Sequence, residues 1–379
     1  MKPGRHFVDG GVACAEGAIY AGCRFFAGYP ITPATTIVEQ MALRLPQVRG
    51  FYLQMEDEIA SMAAIIGASW AGGKAMTATS GPGFTLMQEN LGYAYLTETP
   101  IVVVDAQRSG PSTGQATMPG QQDVMQARFG SHGDIAPIVF TPWSVQEMFD
   151  FTVHAFNYAE RFRTPVLVMA DGAISYMREP LEIRKPGTLP IINRQRLTKK
   201  DSHPENIFLR YEMPRFGDGL NLLVTGSAHR PTGVRDYAPK FHRATIEWIF
   251  NKSKEAGKSL QKENLDIYTH EMKDADTAII SYGAAARPTY QAVLSARQAG
   301  ENIGFIRLKT LWPFPEEHLL ELVSNIKRIF VVEMNMGMMV NEVDRIASHA
   351  KVKVIPKVAG EVHQSNEILE HIHGRENAA

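Results

Sequence analysis

Two short stretches concentrate the residues that could do chemistry. Residues 28–36 read GYPITPATT, and residues 108–123 read RSGPSTGQATMPGQQD. Each places Gly, Pro, Thr and small polar groups between apolar runs, the composition of strand-end loops that offer backbone and hydroxyl groups to a ligand. In the first, Pro30 and Pro33 fix the backbone on both sides of Ile31 and Thr32. Such a loop presents Thr32 without an ordering cost, and a stiff connector whose Thr caps the next helix explains the prolines equally well. In the second, Arg108 ends the run IVVVDAQR. Its guanidinium is a planar fork of donors suited to a carboxylate ligand, and equally suited to a structural ion pair.

Between these loops Glu58 follows Glu56 and Asp57 at the start of an apolar helical pattern. Acids in a first helical turn are favoured by the backbone dipole, by about 0.3–1 kcal/mol each. Three carboxylates this close, in a segment otherwise apolar enough to be buried, are nonetheless unusual. Gln121, Gln122 and Asp123 follow a Pro-Gly turn, and Asp123 is first of all a helix N-cap candidate. His132, in SHGD, is a loop histidine whose residue type alone assigns it no role.

The elements that must position these residues alternate as in an open α/β sheet with helices on both faces. GVACAEGAIYAGCRFFAG reads as a helix, TTIVEQMALRL as another, FYLQM as a strand, and DEIASMAAIIGASWAG as a helix closed by Gly72 and Gly73. AMTATS is a strand, GPG a turn and FTLMQENLGYAYLTE a helix, and IVVVDAQR is apolar enough for a strand buried on both faces. SVQEMFDFTVHAFNYAERF and PVLVMAD supply a last helix and strand. Ligands of such sheets bind beyond the carboxyl ends of the strands, so Arg108, its loop and the turn at Gly81 to Gly83 point to one rim. We therefore expect a parallel-sheet domain over residues 1–180. Residues 181–275 read as a connector holding GLNLLVTGS and a charged helix from Lys240 to Lys258, a solvated face or a subunit contact. The βα rhythm returns in a smaller α/β domain over 276–379, with a frayed tail at HIHGRENAA.

Composition narrows the function classes. With 379 residues, 44% apolar content and a net charge of −1, the chain buries a substantial core and makes no global electrostatic case for nucleic acid or an anionic membrane. The N-terminus lacks the apolar core of a signal peptide and no run approaches a membrane span, so a cytoplasmic location is expected. Cys14 and Cys23 are the only cysteines, which fits neither a disulfide scaffold nor a zinc site, and a four-iron cluster needs about four thiolates. No metal site is expected in this chain. No P-loop, G-x-G-x-x-G or C-x-x-C motif is present.

The two loops, with E-I-A-S-M-A-A at Glu58, resemble the α subunit of the 2-oxoacid:ferredoxin oxidoreductases, and the resemblance runs along nearly the whole chain. It implies a thiamine diphosphate pyrimidine-binding-like domain followed by a transketolase-C-terminal-like domain, which LKTLWPFP and VVEMNMG match. By the same resemblance Glu58 bonds the pyrimidine nitrogen, Tyr29 and Ile31 line that ring, and Thr32, Arg108 and Thr117 meet the substrate. Gln122 and His132 stand toward its distal end, where His132 would meet the second carboxylate of 2-oxoglutarate. Ser109, Ala116 and Met338 depart from the family's more usual Thr, Pro and Gln. The Gly-Asp-Gly…Asn element that holds Mg2+ and diphosphate is absent. A β subunit is thus implied to bring that element and a [4Fe-4S] cluster, with a γ subunit, a ferredoxin-like δ subunit, ferredoxin and coenzyme A as further partners. The implied reaction is oxidative decarboxylation of a 2-oxoacid, foremost 2-oxoglutarate, to acyl-CoA and CO2, or its reverse. Pyruvate or branched-chain substrates, a non-redox thiamine half-enzyme and a non-catalytic assembly subunit are the alternatives.

Overall fold

A computed structural model describes residues 1–374. Its larger sheet runs, in spatial order, through strands Phe51–Gln54, Phe25–Gly28, Ala75–Thr79, Val102–Ser109, Val166–Asp171 and Ile138–Phe140, all parallel. Strand Val102–Ser109 lies at its centre, buried along its whole length. Val102, Val104 and Ala106 enter one apolar core and Val103 the other, so the continuous apolar run reflects helices on both faces. From Phe25–Gly28 the chain steps first to one neighbour and then across to the other, Ala75–Thr79. That reversal is the topological switch point, where an open sheet of this kind leaves a crevice beyond its carboxyl ends. Loops 28–34 and 80–83 border it.

Several elements differ from the pattern reading. The segment GVACAEGAIYAGCRFFAG is not one helix: helix Gly10–Tyr20 ends before Gly22, which sits at φ +93°, and Phe25–Gly28 is a strand. The apolar period cannot separate a buried strand from a helical turn of four residues. GPG opens a short helix, Gly81–Leu86, rather than a turn, and Gln88–Leu96 follows it. Strand Arg178–Ile183 pairs antiparallel with Gly4–Asp9, across the boundary expected at residue 180.

Within 184–238 no strand or helix forms, and GLNLLVTGS is irregular. This segment is nonetheless tied down by Arg163, which is fully buried and whose Nη1 donates to the carbonyls of Ile207, Arg210 and Glu212 at 3.0–3.1 Å. Helix Pro239–Lys262 is solvated on one face only. Thr245, Ile249, Ala256 and Leu260 are buried on the other, and Lys252 reaches the fully buried Glu98 at 2.9 Å.

The second sheet orders strands Ile267–His270, Ile303–Leu308, Thr277–Ser281, Arg328–Glu333 and Lys351–Pro356, parallel except for the first. Strand Thr310–Trp312, which follows Ile303–Leu308 directly in the chain, does not join this sheet but pairs antiparallel with Ile138–Phe140, so the second unit closes the edge of the first. Gln121 clamps the two further. Its amide donates to Asp171 and to the Tyr282 carbonyl, its carbonyl oxygen accepts from the Met334 amide, and Asn335 donates to its backbone carbonyl. The expected frayed tail is helical through Ile372, with Gln364 and Glu367 forming a capping box, and residues 375–379 lie outside the described part.

Candidate active site

At the switch point the loop after Phe25–Gly28 meets the end of Val102–Ser109. Arg108 is 6% exposed, and its Nη1 donates to the Thr32 carbonyl at 3.0 Å, while its Nε is buried without a partner. Thr32 precedes Pro33 through a cis peptide bond, Ile31 packs against the core, and Tyr29 is 39% exposed beside them. Arg108 therefore has no ion pair of its own among the described residues. Its fork is held from behind and left with donors to spare.

Glu58 opens helix Glu58–Trp70, with Asp57 as the N-cap, accepting from the Ala60 amide at 2.8 Å. Asp57 is thereby used up in the cap, whereas Glu58 is 4% exposed and no other residue's donor reaches its carboxylate among the described residues. Burial pushes its pKa up, the Asp57 charge adds to this, and the nearby Arg108 guanidinium opposes it. Space for this carboxylate depends on Gly83. A Cβ there would stand 2.2 Å from Glu58 Oε1 and from Thr79 Oγ1. Thr79 Oγ1 and Ser80 Oγ are likewise buried without partners. Buried polar atoms are nearly always bonded, so a cluster of orphans around one carboxylate marks a place built for a polar ligand.

A pair of acids lies near Arg108, of which Asp123 is singled out by the sequence and Asp105 is not. Asp105 sits mid-strand, 1% exposed, and Asp123 begins helix Val124–Phe129. The expected N-cap bond is not made: the Asp123 side chain turns instead to Asp105, within hydrogen-bonding reach of it. Asp105 Oδ1 and Oδ2 and Asp123 Oδ2 make no well-formed hydrogen bond, although the Gly81 amide lies close by. Burial pushes both carboxyls up, Asp105 well above the usual range and Asp123 to about 6, with Arg108 and the Gly81 amide opposing. The signal was present in VVVDAQ, an acid inside a run otherwise fit for a doubly buried strand.

The remaining residues divide. Thr117 lies exposed on strand Gln115–Pro119, which folds back onto Arg108 through the Arg108–Pro119 pairing and so overhangs the rim. Gln122 Oε1 accepts the Gly110 amide, stapling the loop's two ends and leaving only its amide group for a ligand. His132 is not brought to the rim. Helix Val124–Phe129 carries the chain away, and His132 ends 82% exposed, 3.6 Å from Glu89, on a separate cleft with Tyr93 and His242.

The residues present fit the pyrimidine end of thiamine diphosphate: a buried carboxylate that no other residue's donor reaches, a glycine where a side chain would intrude, and two free hydroxyls. Comparisons with known proteins agree. Residues 16–247 match the family model "Pyruvate flavodoxin/ferredoxin oxidoreductase, thiamine diP-bdg", and 275–368 match "Pyruvate:ferredoxin oxidoreductase core domain II". The 2-oxoglutarate synthase subunit KorA of Methanocaldococcus jannaschii is 49% identical, over 96% of this chain and 97% of its own. The ketoisovalerate oxidoreductase subunit VorB of Methanothermobacter thermautotrophicus is 32% identical over 96% of each. A solved structure of 2-oxoglutarate:ferredoxin oxidoreductase from Magnetococcus marinus, with 2-oxoglutarate, coenzyme A and succinyl-CoA bound, superposes with a TM-score of 0.91 at 32% identity. The match covers 98% of this chain and 65% of that one. With both family domains present in order along nearly its whole length, the chain belongs to the 2-oxoacid:ferredoxin oxidoreductase family.

Proposed function

We propose that this chain is the α-type subunit of a 2-oxoglutarate:ferredoxin oxidoreductase and contributes the pyrimidine-facing and substrate-carboxylate-facing half of the active site. The observation that carries this reading is Glu58: a buried carboxylate with no other residue as hydrogen-bond donor, beside an arginine with free donors, at the switch point of a parallel sheet. Thiamine diphosphate supplies the carbanion chemistry that lets a 2-oxoacid lose CO2. Glu58 holds a proton at the pyrimidine nitrogen, which its raised pKa suits. Arg108 and Thr32 fix the C1 carboxylate, Thr117 adds a hydroxyl from the overhanging strand, and Tyr29 and Ile31 wall the ring. The distal carboxylate is met by the amide of Gln122 rather than by His132, which stands elsewhere.

A β subunit would bring the diphosphate-Mg2+ element and the [4Fe-4S] cluster. Gamma and δ subunits and ferredoxin would complete electron transfer and coenzyme A use in the cytoplasm. Support for 2-oxoglutarate comes from the more similar relatives bearing that name, against 32% identity for the ketoisovalerate enzyme. The test is coenzyme A-dependent viologen reduction by the co-expressed complex with 2-oxoglutarate, pyruvate and 2-oxoisovalerate. The highest kcat/KM is expected with 2-oxoglutarate, and none of the three should be turned over by this chain alone. Arg108→Lys keeps the charge but loses the fork, so kcat/KM should fall roughly ten- to a thousandfold, about 1.4–4 kcal/mol, with thiamine affinity held. Unchanged kinetics in that variant would remove Arg108 from the site.

A further inference from the structure

Asp105 and Asp123 are not used by the reaction as derived above, yet their carboxyl oxygens are left largely without partners. Three of their four carboxyl oxygens are buried without a hydrogen-bond partner, and the two carboxyls lie within hydrogen-bonding reach of one another. Two carboxylates in such contact, out of water, do not both ionise; one retains its proton and donates it to the other. The pair then carries a single negative charge. The charged group near both carboxyls is Arg108, three residues from Asp105 along the same strand, and the same guanidinium also lies near Glu58. Helix Gly81–Leu86 approaches from the opposite side with backbone: a Cβ at Gly81 would lie 3.9 Å from both Arg108 Cγ and Asp123 Oδ2. Helix Val124–Phe129 adds no ionised side chain toward the pair.

We propose that Asp105 and Asp123 act together as positioning residues for Arg108, sharing one proton so that a single negative charge sits behind the guanidinium and leaves its fork free for the substrate carboxylate. A pair with no charge would leave Arg108 held only by the Thr32 carbonyl. A doubly ionised pair would compete with the substrate for the fork. The pair thus sets the window in which Arg108 can bind an acid, and this rests on Arg108 being the carboxylate contact proposed above.

The assembled complex tests this in two ways. In infrared difference spectra at neutral pH, wild type minus Asp105→Asn should show the carbonyl stretch of a protonated buried carboxyl. Its absence would overturn the shared proton whatever the kinetics show. In kinetics, KM for the 2-oxoacid should rise with pH in the wild type but not in Asp105→Asn, which cannot take a second charge. The KM ratio of the two should grow roughly tenfold or more toward alkaline pH, the effect of one added unit charge nearby at an effective dielectric near 20. Thiamine affinity should stay level. A ratio constant with pH would overturn the proposal. If Asp105→Asn does not assemble, Asp123→Asn carries both measurements, with the same expected and contrary results. An Arg108→Lys variant without a substrate defect would instead sink the reading of Arg108, and the two failures are distinct.

Discussion

Buried charge is handled in two ways in this protein. Glu98 is met in full: its Oε1 accepts from the Leu209 amide, and Oε2 accepts from Trp248 Nε1 and Lys252 Nζ at 2.6 and 2.9 Å. Lys252 also donates to the Arg163 carbonyl, and Arg163 spends Nε and Nη1 on four carbonyls, leaving only Nη2 idle. Glu333 in the second unit is similar, taking the Tyr282 hydroxyl, Asn335 and the amides of Met339 and Val340. At the switch point Glu58, Arg108 and Asp105 are also buried and Asp123 is half-buried, yet Arg108 Nε, both Asp105 carboxyl oxygens and Asp123 Oδ2 go without partners. The first group fastens the connector and the long charged helix to the sheet. The second withholds its bonds for something else, at a cost in stability that the first group offsets.

The largest difference between the two groups is expected at Glu58. Glu58→Gln should lower turnover of the complex by roughly a hundred- to ten-thousandfold while melting within a few degrees of wild type, because an amide cannot handle the proton and the site was not holding the fold together. Near-native turnover would move Glu58 into the structural group. Glu56, exposed in the same turn, should tolerate Gln with small losses.

Glu98→Gln should behave the opposite way. It leaves Lys252 buried without a counter-charge, which costs about 3–5 kcal/mol, and it should not touch kcat of the molecules that remain folded. Burial alone would raise the Glu98 pKa, but Lys252 and Arg163 outweigh it and hold it below the ordinary value. A depressed carboxyl contributes stability that is present above the unfolded pKa and lost as pH falls through the folded one. The gap between wild type and Glu98→Gln, followed by denaturant unfolding, should therefore narrow on acidification below about pH 4.5. A gap independent of pH would mean that packing around Trp248, rather than charge, is what the substitution disturbs.

Much of this division could be read before the structure, and the failures share a cause. The loops at 28–36 and 108–123 announce themselves by composition, and Arg108 by ending an apolar run, because a strand end exposes what the strand interior cannot hold. Glu58 needed a family resemblance, since three clustered acids at a helix start have an ordinary electrostatic explanation, which Asp57 duly fulfils. His132 stands on a separate cleft because direction after a short helix is set by tertiary packing, not by distance along the chain. Asp123 satisfied every local criterion for an N-cap and was drawn off by Asp105, 18 residues away in sequence and adjacent in space. Lys252 looked like one more solvated charge in an alternating helix until Glu98 was found beneath it. Long-range partners of charged residues are what a linear pattern does not carry.

The smallest effect expected is also the most diagnostic in sign. Asp123 has its pKa pushed up to about 6 by burial, against an ordinary value of 3.8, with Asp105 and Arg108 pulling it down. A carboxyl with a raised folded-state pKa contributes stability that is full below the unfolded pKa and is lost as pH rises through the folded one, the reverse of Glu98. Wild type should therefore lose roughly 1–3 kcal/mol between about pH 4 and pH 6 on account of this one group. Asp123→Asn cannot ionise, so its melting temperature should gain on wild type across that interval and then run parallel above about pH 7. The same substitution should raise KM for the 2-oxoacid, trading function for stability as expected where a site keeps a buried charge under-satisfied. If Asp123→Asn instead loses ground on wild type as the pH rises, the aspartate pair belongs with Glu98 among the structural charges, and the contrast between the two regions fails at the point where it was drawn most finely.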